Sequence, residues 1–330
     1  MRRWTPWVLV LVAAGSALAD GFWEGPGGGM TFVLAVRPSR AGTVFAGTSR
    51  GGIFASTDRG TRWRRLMRAR RPERIRALAV DRDGDVYASD ADGAILRGAD
   101  GGTSWTVVAR ATDGVEVASL AIDPRTRPGT VYAGTSTGAV RKSTDRGATW
   151  HESTRGLEGE GVLALAVDPR RRAGVLWAAS LHGIFRSGDG GVTWRKRNPL
   201  AARALAVDPR RRHTIFAVLE GVFRSTDGGR AWDRVPTIRH ALSVAIDPRT
   251  SPGTVYVGTS YDGVQRSVDG GTTWSPARAG LPPLGEVVAL GLDVRARPGR
   301  LYAATSGMGI FRSADDGASW LADQGGAPAP

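Results

Sequence analysis

Cysteine is absent from the 330-residue sequence. Without a thiol, the chain has no disulfide bond, no thiolate metal ligand and no cysteine nucleophile. We also expect no lipid anchor of the bacterial lipoprotein type, because that anchor is attached to a cysteine at the cleavage site. The fold must therefore be stabilised by packing and hydrogen bonds alone.

Lysine is nearly absent as well. Lys142 and Lys196 stand against 43 arginines, and the formal net charge is +14. A surface selected only for positive charge would contain both residue types, so this ratio indicates a GC-rich coding bias. Whatever its origin, the charge favours anionic partners through long-range attraction.

Long apolar runs are absent after the N-terminus. Residues 1–19 contain two arginines and a short apolar run, and they end in Ala17-Leu18-Ala19, which is typical of a secretory signal peptide cleaved before Asp20. The run is too short for a membrane-spanning helix. We therefore expect a secreted or periplasmic chain with no transmembrane segment after cleavage, which argues against nucleic acid as its partner.

One eight-residue motif recurs seven times. Its form is Ser-x-Asp-x-Gly-x-Thr-Trp, as in STDRGATW at residues 143–150, and the closing tryptophans are 38 to 46 residues apart. A period near 40–45 residues is typical of β-propeller blades. The seven tryptophans are Trp63, Trp105, Trp150, Trp194, Trp232, Trp274 and Trp320.

Each repeat contains four segments with strand character. An apolar run such as SLAID precedes an Asp-Pro pair, a TVYAGT-like segment carries an aromatic residue, a GIFRS-like segment precedes the motif, and a fourth begins at the tryptophan. The near-continuous apolar first segment indicates a strand buried on both faces. Seven such repeats predict an all-β fold, a single seven-bladed propeller with four-stranded antiparallel blades and a motif hairpin in each.

The two ends of the chain lie outside this period. We assign residues 20–323 to the propeller and 324–330 to a flexible tail. Trp23 occupies the place of a fourth strand that has no blade before it, so residues 20–30 are predicted to be a closing strand. We expect residues 21–25 to pair with the last blade, since rings are often closed by a strand from the other end.

The repeated motif has a structural interpretation. Asp-x-Gly between two strands is a hairpin signal, and its carboxylate accepts hydrogen bonds from nearby backbone N–H groups. The glycines are expected at positive φ, and each tryptophan is expected to pack between neighbouring hairpins. The aspartates are Asp58, Asp100, Asp145, Asp189, Asp227, Asp269 and Asp315, and Gly98 replaces the serine in the second copy.

The motif resembles the Asp-box, or BNR repeat. Asp-boxes occur in sialidases, xyloglucan-degrading enzymes, sortilin-type receptors and the photosystem II stability/assembly factor family. The resemblance covers almost the whole mature chain and implies a structural turn on the outer rim of each blade, away from the central site. In length and repeat pattern the chain is similar to the assembly-factor type, whose cyanobacterial members typically carry a lipid anchor that needs a cysteine.

A basic residue precedes the motif in six copies, and Ala55 takes that place in the first. We interpret these residues as the solvent-facing side of the third strand, paired with nearby aspartates. A ring of cations that binds an anionic surface is the alternative. The six are Arg97, Lys142, Arg186, Arg224, Arg266 and Arg312.

No catalytic residue is identified. The Arg-Ile-Pro motif that a sialidase would carry is missing, and four of five tyrosines fill the strand-two aromatic position, which leaves Tyr261. The histidines His151, His182, His213 and His240 lack metal-ligand spacing, so no metal or other cofactor is predicted. A glycosidase needs two carboxylates at a set separation. Candidates on the expected binding face are Asp90, Asp92, Asp113, Glu116, Glu158, Glu160, Glu220, Asp262 and Glu286.

Arginines stand out on that face. We place RRLMRARRPERIR, residues 64–76, in the first inter-blade loop and further arginines in later ones. Guanidinium groups suit carboxylates, phosphates and protein interfaces. The candidate binding residues are Arg64, Arg65, Arg68, Arg70, Arg71, Arg74, Arg76, Arg110, Arg155, Arg195, Arg197, Arg239 and Arg278.

The sequence thus predicts an exported, non-catalytic propeller that binds an acidic protein or another anionic surface, with a glycan as a further ligand class. The alternative is a glycoside hydrolase of sialidase-like or xyloglucanase-like type. Two facing carboxylates about 5–10 Å apart would favour the hydrolase.

Overall fold

The structure is a computed structural model that describes residues 30–68, 74–111, 114–157, 159–170, 174–296 and 299–322. The predicted signal peptide, the tail and all of the closing strand except Met30 lie outside these residues. The described part is built of strands, and within it no helix is long and apolar enough to cross a membrane.

Twenty-eight strands follow one another in sets of four. The first three sets are β1 (Thr31–Val36), β2 (Val44–Thr48), β3 (Gly52–Ser56), β4 (Arg64–Arg68), β5 (Ile75–Val80), β6 (Val86–Asp90), β7 (Ala94–Ala99), β8 (Ser104–Arg110), β9 (Val117–Asp123), β10 (Thr130–Thr135), β11 (Val140–Ser143) and β12 (His151–Glu152). The fourth and fifth sets are β13 (Ala164–Val167), β14 (Leu176–Ala179), β15 (Ile184–Ser187), β16 (Arg195–Asn198), β17 (Ala204–Val207), β18 (Ile215–Val218), β19 (Gly221–Ser225) and β20 (Asp233–Arg239). The last two sets are β21 (Ala241–Asp247), β22 (Thr254–Thr259), β23 (Val264–Ser267), β24 (Ser275–Pro276), β25 (Val287–Asp293), β26 (Arg300–Thr305), β27 (Gly309–Ser313) and β28 (Leu321–Ala322).

Each set of four strands forms one antiparallel sheet in chain order, so there are seven blades. This confirms the predicted seven-bladed, all-β propeller. The register repeats from blade to blade: in blade 3, for example, Tyr132 pairs with Ala121 on the first strand and with Lys142 on the third. The fourth strand begins one residue after the tryptophan in six blades, and in blade 2 β8 includes Trp105.

The first strands form the inner ring. The first strands of consecutive blades contact one another, and β25 of the last blade contacts β1 of the first. Their side chains are buried along almost their whole length, as in β9, where every residue is buried. The prediction that the apolar runs line the inside of the ring is therefore confirmed, and the core consists of the layers between adjacent blades.

The ring has two faces. On one, here called the box face, the motif turns meet the turns between the first two strands. In blades 1, 2, 4 and 5 a backbone hydrogen bond joins the two turns, as where the Arg59 N–H donates to the Gly42 carbonyl at 3.0 Å. On the other, the loop face, the linkers between blades meet the turns between second and third strands. There the Ser136 N–H donates to the Glu116 carbonyl at 2.9 Å.

The first and last blades meet on the box face. The Gly42 N–H donates to Asp293 Oδ2 at 2.6 Å, and Arg295 Nε donates to the Pro38 carbonyl at 2.5 Å. Among the described residues each of these two sheets is made of its own four strands. Pairing of residues 21–25 with the last blade lies outside the described residues and stays a prediction.

Candidate functional site

The motif turns form a repeated hydrogen-bond network. In six blades the serine hydroxyl donates to aspartate Oδ1 at 2.7–2.9 Å, and the glycine N–H donates to the serine oxygen at 2.7–2.8 Å. The glycines have φ between 78° and 90°, as expected. Because the aspartate oxygens accept hydrogen bonds within their own turn, these aspartates stabilise the turn and do not form a common binding site.

Blade 2 differs at this turn. With Gly98 in place of serine, the hairpin is closed by its backbone, where the Gly102 N–H donates to the Ala99 carbonyl at 2.9 Å. Within the described residues Asp100 makes none of the side-chain hydrogen bonds seen in the other blades. The role expected for Asp100 from the motif is therefore wrong, because the serine that orients the carboxylate is missing.

Hydrogen bonds also lower the pKa values of motif aspartates. In blade 3 the Thr149 hydroxyl donates to Asp145 Oδ2 at 2.5 Å and the Thr149 N–H to Oδ1 at 2.9 Å. These bonds to the charged form lower the pKa of Asp145 to about 2. The carboxylate is therefore held ionised and serves as an acceptor, which is unsuited to general-acid chemistry.

Six of the seven closing tryptophans fall into two groups. Trp194 and Trp320 are each 3% exposed, and their Nε1–H groups donate at 2.7 Å to the carbonyls of Ser153 and Ala277 in the preceding linker. Four others are half-buried and donate at 3.0–3.3 Å to the glycine carbonyl of their own turn. Trp63 Nε1 is buried and has no hydrogen-bond partner in the described residues.

Several arginines form ion pairs with aspartates within the Asp-Pro turns on the box face. In blades 3, 4 and 6 the aspartate at the end of the first strand is buried and forms an ion pair with the arginine two residues later. Arg125 Nη2 lies 2.6 Å from Asp123 Oδ2, and Arg170 Nη2 lies 2.8 Å from Asp168 Oδ2. These arginines stabilise their own turns and are not available to a partner.

The mouth of the central channel on the box face is apolar. A cavity of about 70 Å³ lies between the ends of the first strands, where Leu120, Ile122 and Val167 line it. Prolines of the first turns complete its rim: Pro38, Pro124, Pro169 and Pro209. The cavity offers mainly van der Waals contact, and Asp81 and Arg82 are the charged residues among those that line it.

The candidate arginines do not form one cluster. Seven of them lie on outer strands: Arg64, Arg65, Arg68, Arg110, Arg195, Arg197 and Arg239. The placement of these residues in inter-blade loops is therefore wrong, because the fourth strands extend through those segments. Arg155 and Arg278 do lie in linkers, whereas Arg70 and Arg71 lie outside the described residues.

Arg74 and Arg76 lie beside the inner ring on the loop face. The Arg74 guanidinium is 3.8 Å from the centroid of the Phe32 ring, and burial lowers the pKa of Arg74 to about 10. Arg76 forms an ion pair with Glu116 of the next blade. Both side chains therefore have partners within the protein.

The loop-face carboxylates are held by separate partners. Besides Glu116, Glu160 lies 3.2 Å from His182 Nδ1 and 3.7 Å from Lys196 Nζ, and Asp262 lies 3.8 Å from Arg278. Glu220 and Asp92 are exposed, and Glu286 is half-buried. Asp113 and Glu158 lie outside the described residues.

Asp90 is a carboxylate on the loop face whose pKa is shifted from its ordinary value. It ends β6, and its Oδ1 accepts a hydrogen bond from the Ala94 N–H at 2.8 Å. Burial raises its pKa, and the charge of Asp92 adds to the effect. A carboxyl group with a raised pKa can act as a general acid, although here it also caps the turn between β6 and β7.

The remaining sequence candidates lie apart. Tyr261 is 57% exposed and stacks edge-to-face with His240, with ring centroids 5.3 Å apart. Across the described residues, no three of the His, Asp and Glu side chains come together as a metal site.

A pocket of about 390 Å³ opens between blades 1 and 2, and sequence reasoning missed it. We call it the blade 1 pocket. Its walls include Phe45 and Ala55 of blade 1 and Gly101 of blade 2, and its rim is rich in arginine: Arg37, Arg40, Arg62 and Arg64. Two irregularities of the first repeat mark it in the sequence, Arg37 in place of the Asp-Pro aspartate and Ala55 in place of a basic residue.

Solved structures of similar architecture belong to two kinds of protein. The GH74 xyloglucanase from Xanthomonas campestris matches with a TM-score of 0.71 and 18% identity over 92% of this chain and 55% of that one. YCF48 from Cyanidioschyzon merolae matches with a TM-score of 0.66 and 16% identity over 92% and 98%. A structure of YCF48 bound to a D1 peptide matches with a TM-score of 0.64 and 14% identity over 91% and 97%. The chain is an Asp-box-like β-propeller. It spans about half the length of the GH74 enzyme and nearly all of YCF48.

The match found by sequence comparison covers a smaller part of the chain. The family described as strictosidine synthase-like, N-terminal, matches residues 70–98, which include β5, β6 and all of β7 except its last residue. No curated protein matches the chain significantly. The similarities to solved structures, all at low identity, concern the fold.

Proposed function

We propose that this chain is an exported, non-catalytic binding propeller whose loop face holds an acidic protein surface. The observation that carries the proposal is the position of four exposed arginines. They lie at the loop-face end of an outer strand or in the linker that follows it, in blades 1, 2, 5 and 6: Arg68, Arg110, Arg239 and Arg278. Arginine side chains at such a rim attract and orient carboxylate groups on a partner.

The loop-face carboxylates support the same proposal. Glu116 and Glu160 each have a basic partner other than these four arginines, so their charges are compensated within the protein. In blade 6, Asp262 lies 3.8 Å from Arg278 itself and offsets part of its charge. The fold similarity to YCF48, solved with a D1 peptide, agrees with a propeller that binds a polypeptide.

Charge reversal tests this proposal. Arg110, Arg239 and Arg278 changed together to glutamate should abolish capture of acidic proteins from the exported fraction of the source cells, because both surfaces would then be negative. The control reverses three exposed box-face arginines, Arg127, Arg212 and Arg230, and changes the net charge equally. Equal losses in both triple variants, or none in the loop-face variant, would contradict the proposal.

A glycoside hydrolase is the second candidate, and Asp90 is the observation that favours it. Its raised pKa suits a general acid, Asp92 stands two residues away, and GH74 enzymes share the fold. The test is incubation with fluorogenic glycosides and xyloglucan oligosaccharides. Hydrolysis that is lost in both Asp90→Asn and Asp92→Asn would establish the enzyme, and no hydrolysis of any substrate would leave the binding role.

A further inference from the structure

The blade 1 pocket arises from a break in the repeat. In six blades the third-strand residue before the motif is basic and pairs in register with an aromatic residue of the second strand, as Lys142 does with Tyr132. In blade 1 the corresponding pair is Ala55 and Phe45, and Ala55 pairs on its other side with Arg64 of β4. Blade 1 therefore has neither the cation nor a phenol hydroxyl at this position.

In other blades these groups reach across to the next blade. Lys142 Nζ and the Tyr132 hydroxyl donate to the Gly190 carbonyl of blade 4 at 3.0 and 3.1 Å. Gly101 of blade 2 occupies the position in its motif that Gly190 has in blade 4, and Gly101 lines the blade 1 pocket. The pocket is thus the space that a basic side chain fills elsewhere in the ring.

Two buried donors in the pocket wall lack acceptors. Trp63 Nε1 and Thr43 Oγ1 are inaccessible to solvent and make no hydrogen bond within the described residues, and Thr43 is only 3% exposed. The other six closing tryptophans all donate to a carbonyl. Because solvent reaches neither atom in the pocket, neither can donate to a ligand there, and recognition must come from the exposed side chains of the rim.

The charged side chains around the pocket are mostly basic. Four arginines line it, against the carboxylates of Asp58 and Asp100. Asp58 is already used by its own turn, where it accepts from the N–H groups of Thr61 and Arg62 and pairs with the Arg62 guanidinium at 3.2 Å. The side chains of Arg40 and Arg64 are exposed and have no hydrogen-bond or ion-pair partner among the described residues.

We propose that the blade 1 pocket binds an oxyanion, a sulfate, phosphate or carboxylate group of a small molecule. Arg40 and Arg64 would close over the anion, and the Phe45 and Trp63 rings would contact the group that carries it. The pocket is separate from the loop face, so this site does not depend on the proposed partner surface. Its volume lies within the range of small-molecule sites, about 300–1,000 Å³.

The test measures oxyanion binding to the full-length protein by calorimetry and by thermal shift at constant ionic strength. Inorganic sulfate, inorganic phosphate and glucuronate are the three probes, and sodium chloride balances the ionic strength. Sulfate or phosphate binding alone identifies a tetrahedral oxyanion, whereas preference for glucuronate identifies a sugar carboxylate. Binding by none of the three overturns the proposal.

Ala55→Arg is the decisive variant, because it restores the side chain that the other repeats carry and fills the pocket. It also adds a positive charge, so non-specific attraction of anions would become stronger. Binding in the pocket should instead weaken at least tenfold. Unchanged or tighter binding in Ala55→Arg overturns the proposal.

A second pair of variants keeps the test valid if Ala55→Arg does not fold. Arg40→Ala combined with Arg64→Ala should weaken oxyanion binding about tenfold. Arg203→Ala, a change at an exposed arginine outside the pocket, should leave it unchanged. Equal effects of the pocket and control substitutions would overturn the site.

Discussion

At the scale of single residues, the motif aspartates are acceptors held ionised by their own turn. Ser143, Thr149 and the local backbone donate to the Asp145 carboxylate, and the same arrangement recurs in blades 4 and 6. In blade 4, burial raises the pKa of Asp189, but the hydrogen bonds from Thr193 and Ser187 outweigh it and lower the pKa to about 2. A lowered pKa means that the ionised form is stabilised by folding.

This predicts how Asp145→Asn should behave with pH. The folded pKa of about 2 lies below the ordinary value of 3.8, so the stabilisation is complete above about pH 4 and is lost as the pH falls toward 2. We expect Asp145→Asn to lower Tm at pH 7, and the difference from the unsubstituted protein to shrink between pH 4 and pH 2. Calorimetry across this range measures both proteins, and a constant difference would contradict the assignment.

At the scale of elements, two of the linkers between blades cover tryptophan side chains. The linkers that leave blades 3 and 6 run along the next blade, where the Trp194 N–H donates to the Arg155 carbonyl and the Trp320 N–H to the Ala279 carbonyl, both at 2.8 Å. This is why Trp194 and Trp320 are buried while the other closing tryptophans are only partly so. Leu157 of the first linker packs in the same cluster as Trp194.

A pair of glycines in the first linker tests this cover. Gly156 and Gly159 both have positive φ, 94° and 78°, so alanine is strained at either position by about 1–2 kcal/mol. A Cβ at Gly156 would also collide with the Trp194 carbonyl oxygen, whereas a Cβ at Gly159 would meet no atom within 4 Å. We expect Gly156→Ala to lower Tm several degrees more than Gly159→Ala. Equal shifts in a thermal melt would show that the contact is unimportant.

At the scale of the whole molecule, the described contacts between the last and first blades include a buried carboxylate. Asp293 Oδ1 accepts from the N–H groups of Arg295 and Ala296, at 3.0 and 3.2 Å, while Oδ2 accepts from Gly42 at 2.6 Å. Asp208 caps the same turn in blade 5 with Oδ1, but its Oδ2 is buried without a partner in the described residues.

These two aspartates form a matched pair for testing ring closure. In Asp293→Asn, the side-chain NH₂ group would face a backbone N–H group whichever way the amide is turned. Such a buried contact between two donors costs about 1–3 kcal/mol. At position 208 one orientation avoids that mismatch. We expect Asp293→Asn to lower Tm by several degrees more than Asp208→Asn, as measured by calorimetry. A larger effect at Asp208 would contradict this account of closure.

The architecture could be predicted from the sequence because each blade repeats local information. An apolar run that ends in Asp-Pro, an aromatic position and a Ser-x-Asp-x-Gly turn determine four strands through contacts within about 40 residues. The seven copies then imply seven blades, and the positive φ of the motif glycines follows from the turn chemistry. The arginine positions were predicted less well, since Arg64 and Arg239 lie on strands that the apolar pattern does not mark.

The sequence by itself determined the number of blades, the strand order and the structural role of most motif aspartates, because these depend on residues that are neighbours along the chain. Only the tertiary structure decided that Glu116 is paired with Arg76, that the linkers cover two tryptophans, and that Ala55 leaves a pocket against Gly101. Each of these depends on how one blade faces the next, and that juxtaposition is set by packing around the closed ring.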